Sequence, residues 1–151
     1  MALPKRGNAR FAILECFANA TDKLIENYDA LARRDVNMLR EVGAEVAEAD
    51  VGVKFEEVTK AIFELLDLSI DEDVRKEINT NKDKVLIIAP SFSDDFIESA
   101  EMDTEVNISL LEAKGLKLIL DAYKSKRNPK FSVKLLTKGG LLKAELIAKT
   151  I

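Results

Sequence analysis

Residues 84–102 read KVLIIAPSFSDDFIESAEM, and how this stretch folds decides the class of the whole chain. Val85 to Ala89 form a short apolar run that Pro90 stops, the pattern of a β-strand buried on both faces. Immediately after it, Ser91 or Ser93 can cap a helix whose first turn holds Asp94 and Asp95, carboxylates that suit the positive end of a helix dipole. Further along, VNISLLEAKGLKLILDAYKS (106–125) supplies a second apolar run, Ile108 to Leu111, and then a helix carrying Leu116, Ile119, Leu120 and Tyr123. Strands joined through a helix in this order are expected to lie parallel in one sheet.

The flanks are read from the same periodicities. Downstream, NPKFSVKLLTKGGLLKAELIAKTI (128–151) places Pro129 before a short helix, a Gly139-Gly140 break, and a final amphipathic helix. Upstream, SIDEDVRKEINTNKDK (69–84) spaces Ile70, Val74 and Ile78 among charges and is read as extended. KFEEVTKAIFELLDL (54–68) gives a helix with Phe55, Val58, Ile62, Phe63, Leu65 and Leu66 on a broad apolar face and glutamates in its first turn. DVNMLREVGAEV (35–46) opens on a cap at Asp35 and continues through Met38, Leu39 and Val42, with Gly43 and Gly52 as breaks. FAILECFANATDKLIENYDALARR (11–34) spaces Phe11, Leu14, Phe17 or Ala18, Leu24 or Ile25, Tyr28 and Leu31 as one stripe of a long helix that no proline interrupts. The expected fold is therefore α/β (or α+β): a helical region over 1–68, then a small β-α-β-α core with C-terminal helices over 69–151, in one compact unit.

Composition narrows the chemistry. A chain of 151 residues, 47% of them hydrophobic, can fill one core and is too short for two large ones. The single Cys16 excludes an intrachain disulfide, and the absence of histidine removes a required member from the usual zinc, haem, Ser-His and Cys-His arrangements. Catalysis, if any, falls to carboxylates, lysines, tyrosines or a metal held by oxygens. No secretory leader pattern opens the sequence and no apolar run approaches a membrane span, so a soluble cytoplasmic protein is expected.

Charge is distributed unevenly. Residues 1–112 hold 13 basic against 25 acidic side chains, a balance of −12, whereas residues 113–151 hold 10 against 2, a balance of +8. A basic tail of this kind is either a solvated helical surface or a phosphate-facing patch, since lysine and arginine release the counterions of a nucleic-acid backbone. Lys124, Lys126, Arg127, Lys130, Lys134 and Lys138 are the residues expected to meet phosphates.

Other constellations are weaker. The acidic series Asp94, Asp95, Glu98, Glu101, Asp103 and Glu105 has no glycine among it, as an EF-hand loop requires, and is read as a solvated face with no metal. Lys138-Gly139-Gly140 lacks the remainder of a phosphate-loop motif and is read as a break between two helices. Cys16, beside Phe17, is read as a buried thiol, and Tyr28 and Tyr123 as core residues with wet hydroxyls.

Three blocks taken together carry a resemblance: FEEVTKAIFELLDLSIDEDVRKEINTNKDKV (55–85), VLIIAPSFSDDFIESAEMDTEVNISLLEAKGLKLILDAYK (85–124) and KFSVKLLTKGGLLKAELIAKTI (130–151). Over about the last two thirds of its length the chain resembles restriction-endonuclease-like proteins of the PD-(D/E)XK nuclease superfamily. In that family a glutamate-bearing helix precedes the first core strand, a place that Glu56 or Glu57 would occupy. A strand ending in a metal-binding aspartate, a Glu-x-Lys strand and a helix follow, then a buried strand with "AP-x-F" after it and a final helix. Val85 to Lys124 match the last parts, but after KDKV the sequence passes straight into LIIAPSF, without the aspartate and the Glu-x-Lys segment. Lys82 to Val85 would approach the first of these strands, and Leu86 to Pro90 would belong to the later one. Glu112-Ala113-Lys114 has the right letters but is read as a helix start.

Such nucleases hold magnesium between an aspartate and a glutamate so that a bound water attacks phosphorus, with a lysine steadying the developing charge. The resemblance without that segment implies a DNA-associated protein that does not cut, with no cofactor. A parent protein containing the segment would be a magnesium-dependent endonuclease. The long N-terminal helices also suit a protein-interaction module that forms a homodimer without binding DNA, which the net charge of −4 favours.

Overall fold

The computed structural model describes residues 21–66 and 83–151. By its internal contacts the chain divides into two units, Met1–Val58 and Thr59–Ile151. Cys16, the first half of the N-terminal stripe, and the segment 69–82 expected to be extended lie outside the described residues.

In the first unit the chain is helical over 21–26, turns at Asn27, and resumes as α1 (Tyr28–Ala32) and α2 (Val36–Glu41). The expected stripe is the core: Leu24, Ile25, Tyr28 and Leu31 are all buried, together with Leu39. The expected uninterrupted helix is interrupted at Asn27, whose backbone leaves helical geometry (φ −111, ψ 32) while its N–H and its side-chain amide both donate to the Lys23 carbonyl, at 3.1 and 2.9 Å. α1 and α2 then end in the same way. Asp35 N–H donates to Ala30 O (2.9 Å) and Arg34 N–H to Leu31 O (3.1 Å), while Ala44 N–H donates to Leu39 O (2.8 Å) and Gly43 N–H to Arg40 O (3.1 Å). Both are Schellman stops, which need a left-handed residue. Gly43 supplies it at φ 80, and Arg34 at φ 59, where a side chain is strained. Asp35 caps α2 as its sequence position suggests, accepting from Met38 N–H at 3.1 Å.

A 3₁₀ turn (Glu48–Asp50) leads into α3 (Val51–Leu65). Gly52 is therefore no break. It sits in the first turn of α3, and Glu56 and Glu57 fall in the second turn instead of the first. Glu48 and Asp50 in the preceding turn take over the favourable position at the positive helix end. Val51 and Val58 are buried, and the Phe55 ring stacks on Tyr28 with centroids 5.1 Å apart.

The second unit is built on a parallel sheet of order β1-β2-β3, with β1 at Asp83–Ala89, β2 at Val106–Glu112 and β3 at Gly140–Leu141. β1 and β2 pair in register from Asp83↔Val106 to Ala89↔Glu112, joined through α4 (Asp94–Met102), so the expected β-α-β unit is present. Of the two candidate caps for α4, Ser93 serves: its Oγ accepts from Phe96 N–H at 3.2 Å. Glu112 ends β2 and Ala113 begins α5 (Ala113–Ser125) with no loop between them. A 3₁₀ turn (Val133–Leu136) and α6 (Ala144–Thr150) flank β3.

Three expectations need correction here. β1 is not buried on both faces. It is an edge of the described sheet, Val85 is 43% exposed, and the buried centre is Ser109, Leu110 and Leu111 of β2. An edge position also suits the proline that follows β1. Val85 and Leu86 do not belong to different strands, since they face the consecutive residues Ile108 and Ser109. Gly139-Gly140 is not a simple break between helices, because Gly140 opens β3 opposite Ser109.

The core gathers Leu110, Leu111, Leu116, Ile119, Leu120, Phe131, Leu136 and Ile147. α4 packs on β2 and β3, and α5 on β2 and α6. Phe63 from α3 lines an apolar cleft of about 260 Å³ with Val85, Leu86, Val133 and Leu136.

Candidate nucleic-acid interface

The segment from Pro129 to Gly140 carries the chain from α5 back to the sheet. Two apolar anchors hold it down: Phe131 and Leu136 are each only 2% exposed. Between them Ser132 accepts from Lys134 N–H at 3.3 Å and starts the 3₁₀ turn. With the anchors inside, the interspersed lysines stay at the surface, and Lys130, Lys134 and Lys138 are all exposed. The three converge on one groove of about 390 Å³, which Ser132, Leu135 and Thr150 also line.

A second cavity, of about 510 Å³, lies on the other side of Lys138. Lys84, Glu101, Asp103, Asn107 and the Gly139-Gly140 turn line it, so Lys138 belongs to the walls of both. The backbone on either side of Lys138 is tied to the central strand. Asn107 Nδ2 donates to the Thr137 carbonyl at 3.2 Å, and Gly139 N–H donates to Ser109 Oγ at 2.9 Å. Residues 107 and 109 stand two apart on β2 and so project from the same face of it. The turn itself needs glycine: Gly139 has φ 85, and a Cβ there would come within 2.7 Å of Asn107 Oδ1.

Three of the six cations singled out from the sequence are thus brought together. Lys124 instead closes α5, where it suits the negative helix end, and Lys126 and Arg127 follow in the loop, none of them lining the groove. Glu56 and Glu57 lie in the first unit, exposed, with Glu57 Oε2 accepting from Lys54 Nζ at 3.3 Å. In the acidic series, Asp103 has a structural task, accepting from Glu105 N–H (2.9 Å) and Val106 N–H (2.8 Å) ahead of β2. Among the described residues no three carboxylates, histidines or cysteines are grouped to hold a metal ion, and no helix is long and apolar enough to cross a membrane.

Asn107 and Ser109 are the residues that sequence reasoning passed over. Their signal is present in VNISLLE, where two polar side chains alternate with apolar ones on the strand that carries the buried Leu110 and Leu111. A polar group at such a position is retained when it has a partner, and the partner here is the distant lysine turn. No family model, curated protein or solved structure matches the chain.

Proposed function

We propose that the second unit binds the phosphate backbone of DNA through the Lys130–Lys134–Lys138 groove. The observation that carries this reading is the convergence of three exposed lysines on one groove, within a 39-residue stretch that holds 10 basic against 2 acidic residues. Contacts of this type position a duplex without reading its sequence, so weak, salt-sensitive and sequence-tolerant binding is expected. The resemblance to restriction-endonuclease-like proteins favours DNA as the polyanion. Binding without cleavage is the corresponding expectation, because the sequence passes from KDKV straight into LIIAPSF without the aspartate and Glu-x-Lys strand of that family, and Glu112-Ala113-Lys114, which has the letters, runs from the end of β2 into α5.

Mobility-shift titration of a duplex against salt tests the proposal. Binding that weakens steeply as salt rises supports it, whereas no complex at low salt, or an affinity indifferent to salt, overturns it. Magnesium-dependent nicking of plasmid DNA by the purified chain would overturn the non-cutting part.

A second reading, self-association through the helical unit, is favoured by one observation. Met38, Val42 and Val53 are large apolar side chains left 39%, 37% and 59% exposed there. Light scattering with and without DNA separates the two: a dimer without DNA binding would support this alternative alone.

A further inference from the structure

Lys138 differs from the other two groove lysines in how its backbone is held. Lys130 and Lys134 sit on a segment fixed by its apolar anchors and by the 3₁₀ turn. Lys138 is clamped directly on both sides, through the Thr137 carbonyl to Asn107 and through the Gly139 N–H to Ser109. Ser109 is 1% exposed, and its hydroxyl accepts from this turn. Gly140 then enters the sheet opposite Ser109, and Leu142 N–H donates to Leu110 O at 2.8 Å, which fixes the exit of the turn as firmly as its entry. Among the described residues Lys138 itself makes no ion pair that would compete for its ammonium.

We infer that Ser109 and Asn107 are positioning residues for phosphate binding, fixing the backbone from which Lys138 reaches the groove. This rests on the reading of the groove as a DNA-backbone site. With its backbone already tied on both sides, Lys138 has only its side-chain stem to order when an anion binds, whereas a lysine on an untied segment must order the backbone as well. Removing the clamp therefore weakens binding without removing a charge, whereas removing Lys138 removes both the charge and the reason for the clamp.

The test is a double-mutant cycle on duplex binding by the full chain, with Ser109→Ala, Lys138→Ala and the double variant measured across a salt series. Ser109→Ala is expected to weaken binding about 3- to 10-fold while leaving the salt slope unchanged, and Lys138→Ala to lower the slope by about 0.9. In the Lys138→Ala background, Ser109→Ala should then change affinity less than about 2-fold. A merely structural loss would lower affinity equally in both backgrounds, and that additive result would overturn the inference while leaving the groove reading intact. Asn107→Ala, which removes the other half of the clamp from a half-buried position, repeats the cycle should Ser109→Ala fold poorly by circular dichroism. If the unmodified chain does not bind duplex at low salt, the groove reading falls and the inference falls with it.

Discussion

Replacing Gly115 by alanine would put a methyl carbon 2.9 Å from the Ala144 Cβ, at the start of α6, and 3.3 Å from Leu111 Cδ1 in β2. Ordinary contact between such carbons begins near 3.4 Å, so the two helices must separate by about half an ångström or α5 must lift from β2. Neither neighbour can swing away. Ala144 is 7% exposed and has no rotatable side chain, and Leu111 is fully buried. Overpacking of this kind costs about 1–3 kcal/mol, and the better helix propensity of alanine returns about 1 kcal/mol, leaving a net loss of about 1 kcal/mol. Gly52→Ala is the matched control, the same chemical change in an α-helix where an added Cβ meets nothing within 4 Å. There only the gain operates, about 0.5–1 kcal/mol in favour of the folded state. Denaturant unfolding followed by circular dichroism measures both. Opposite signs are expected, and if Gly115→Ala stabilised the protein as much as Gly52→Ala does, the close packing of α5 on α6 would be refuted.

Other consequences follow from single residues. Arg34→Gly relieves the left-handed backbone at φ 59 that ends α1, and should raise stability by about 1 kcal/mol in the same unfolding assay. Ser93→Ala removes the cap of α4 and should cost about 1 kcal/mol, while Ser91→Ala, a residue with no such bond, should cost little. Because Lys126 and Arg127 lie outside the groove lining, the Lys126→Ala, Arg127→Ala pair should leave the salt slope of DNA binding within about 0.5 of the parent value. A fall approaching 2 would mean that the loop after α5 also meets phosphate.

The elements were legible where a local pattern decides them. Ser93 with Asp94 and Asp95 writes a helix start, and Leu24, Ile25, Tyr28 and Leu31 write a buried stripe, and both occur as the letters suggest. Rank within the sheet was not legible from hydrophobicity. VLIIA is the more apolar run, yet it takes an edge of the described sheet, because Gly140 and Leu141 arrive on the far side of β2 and make ISLLE its centre. A two-residue strand has no periodicity to announce it, so β3 and the clamp around Lys138 depend on partners 30 residues away in sequence. For the candidate site, the excess of lysine was visible in composition. Which lysines converge was not, because that depends on Phe131 and Leu136 turning inward. The two alternating polar residues of β2 were the available clue, and their meaning lay in the turn they hold.

The most direct test of the groove is the slope of log affinity against log salt for a short duplex. Three lysines on phosphates predict a slope of about −2.7, a loss of about 40-fold between 50 and 200 mM salt. A slope near −5.4 would mean that all six of the cations singled out from the sequence engage phosphate, and a slope near zero would mean that the groove meets none.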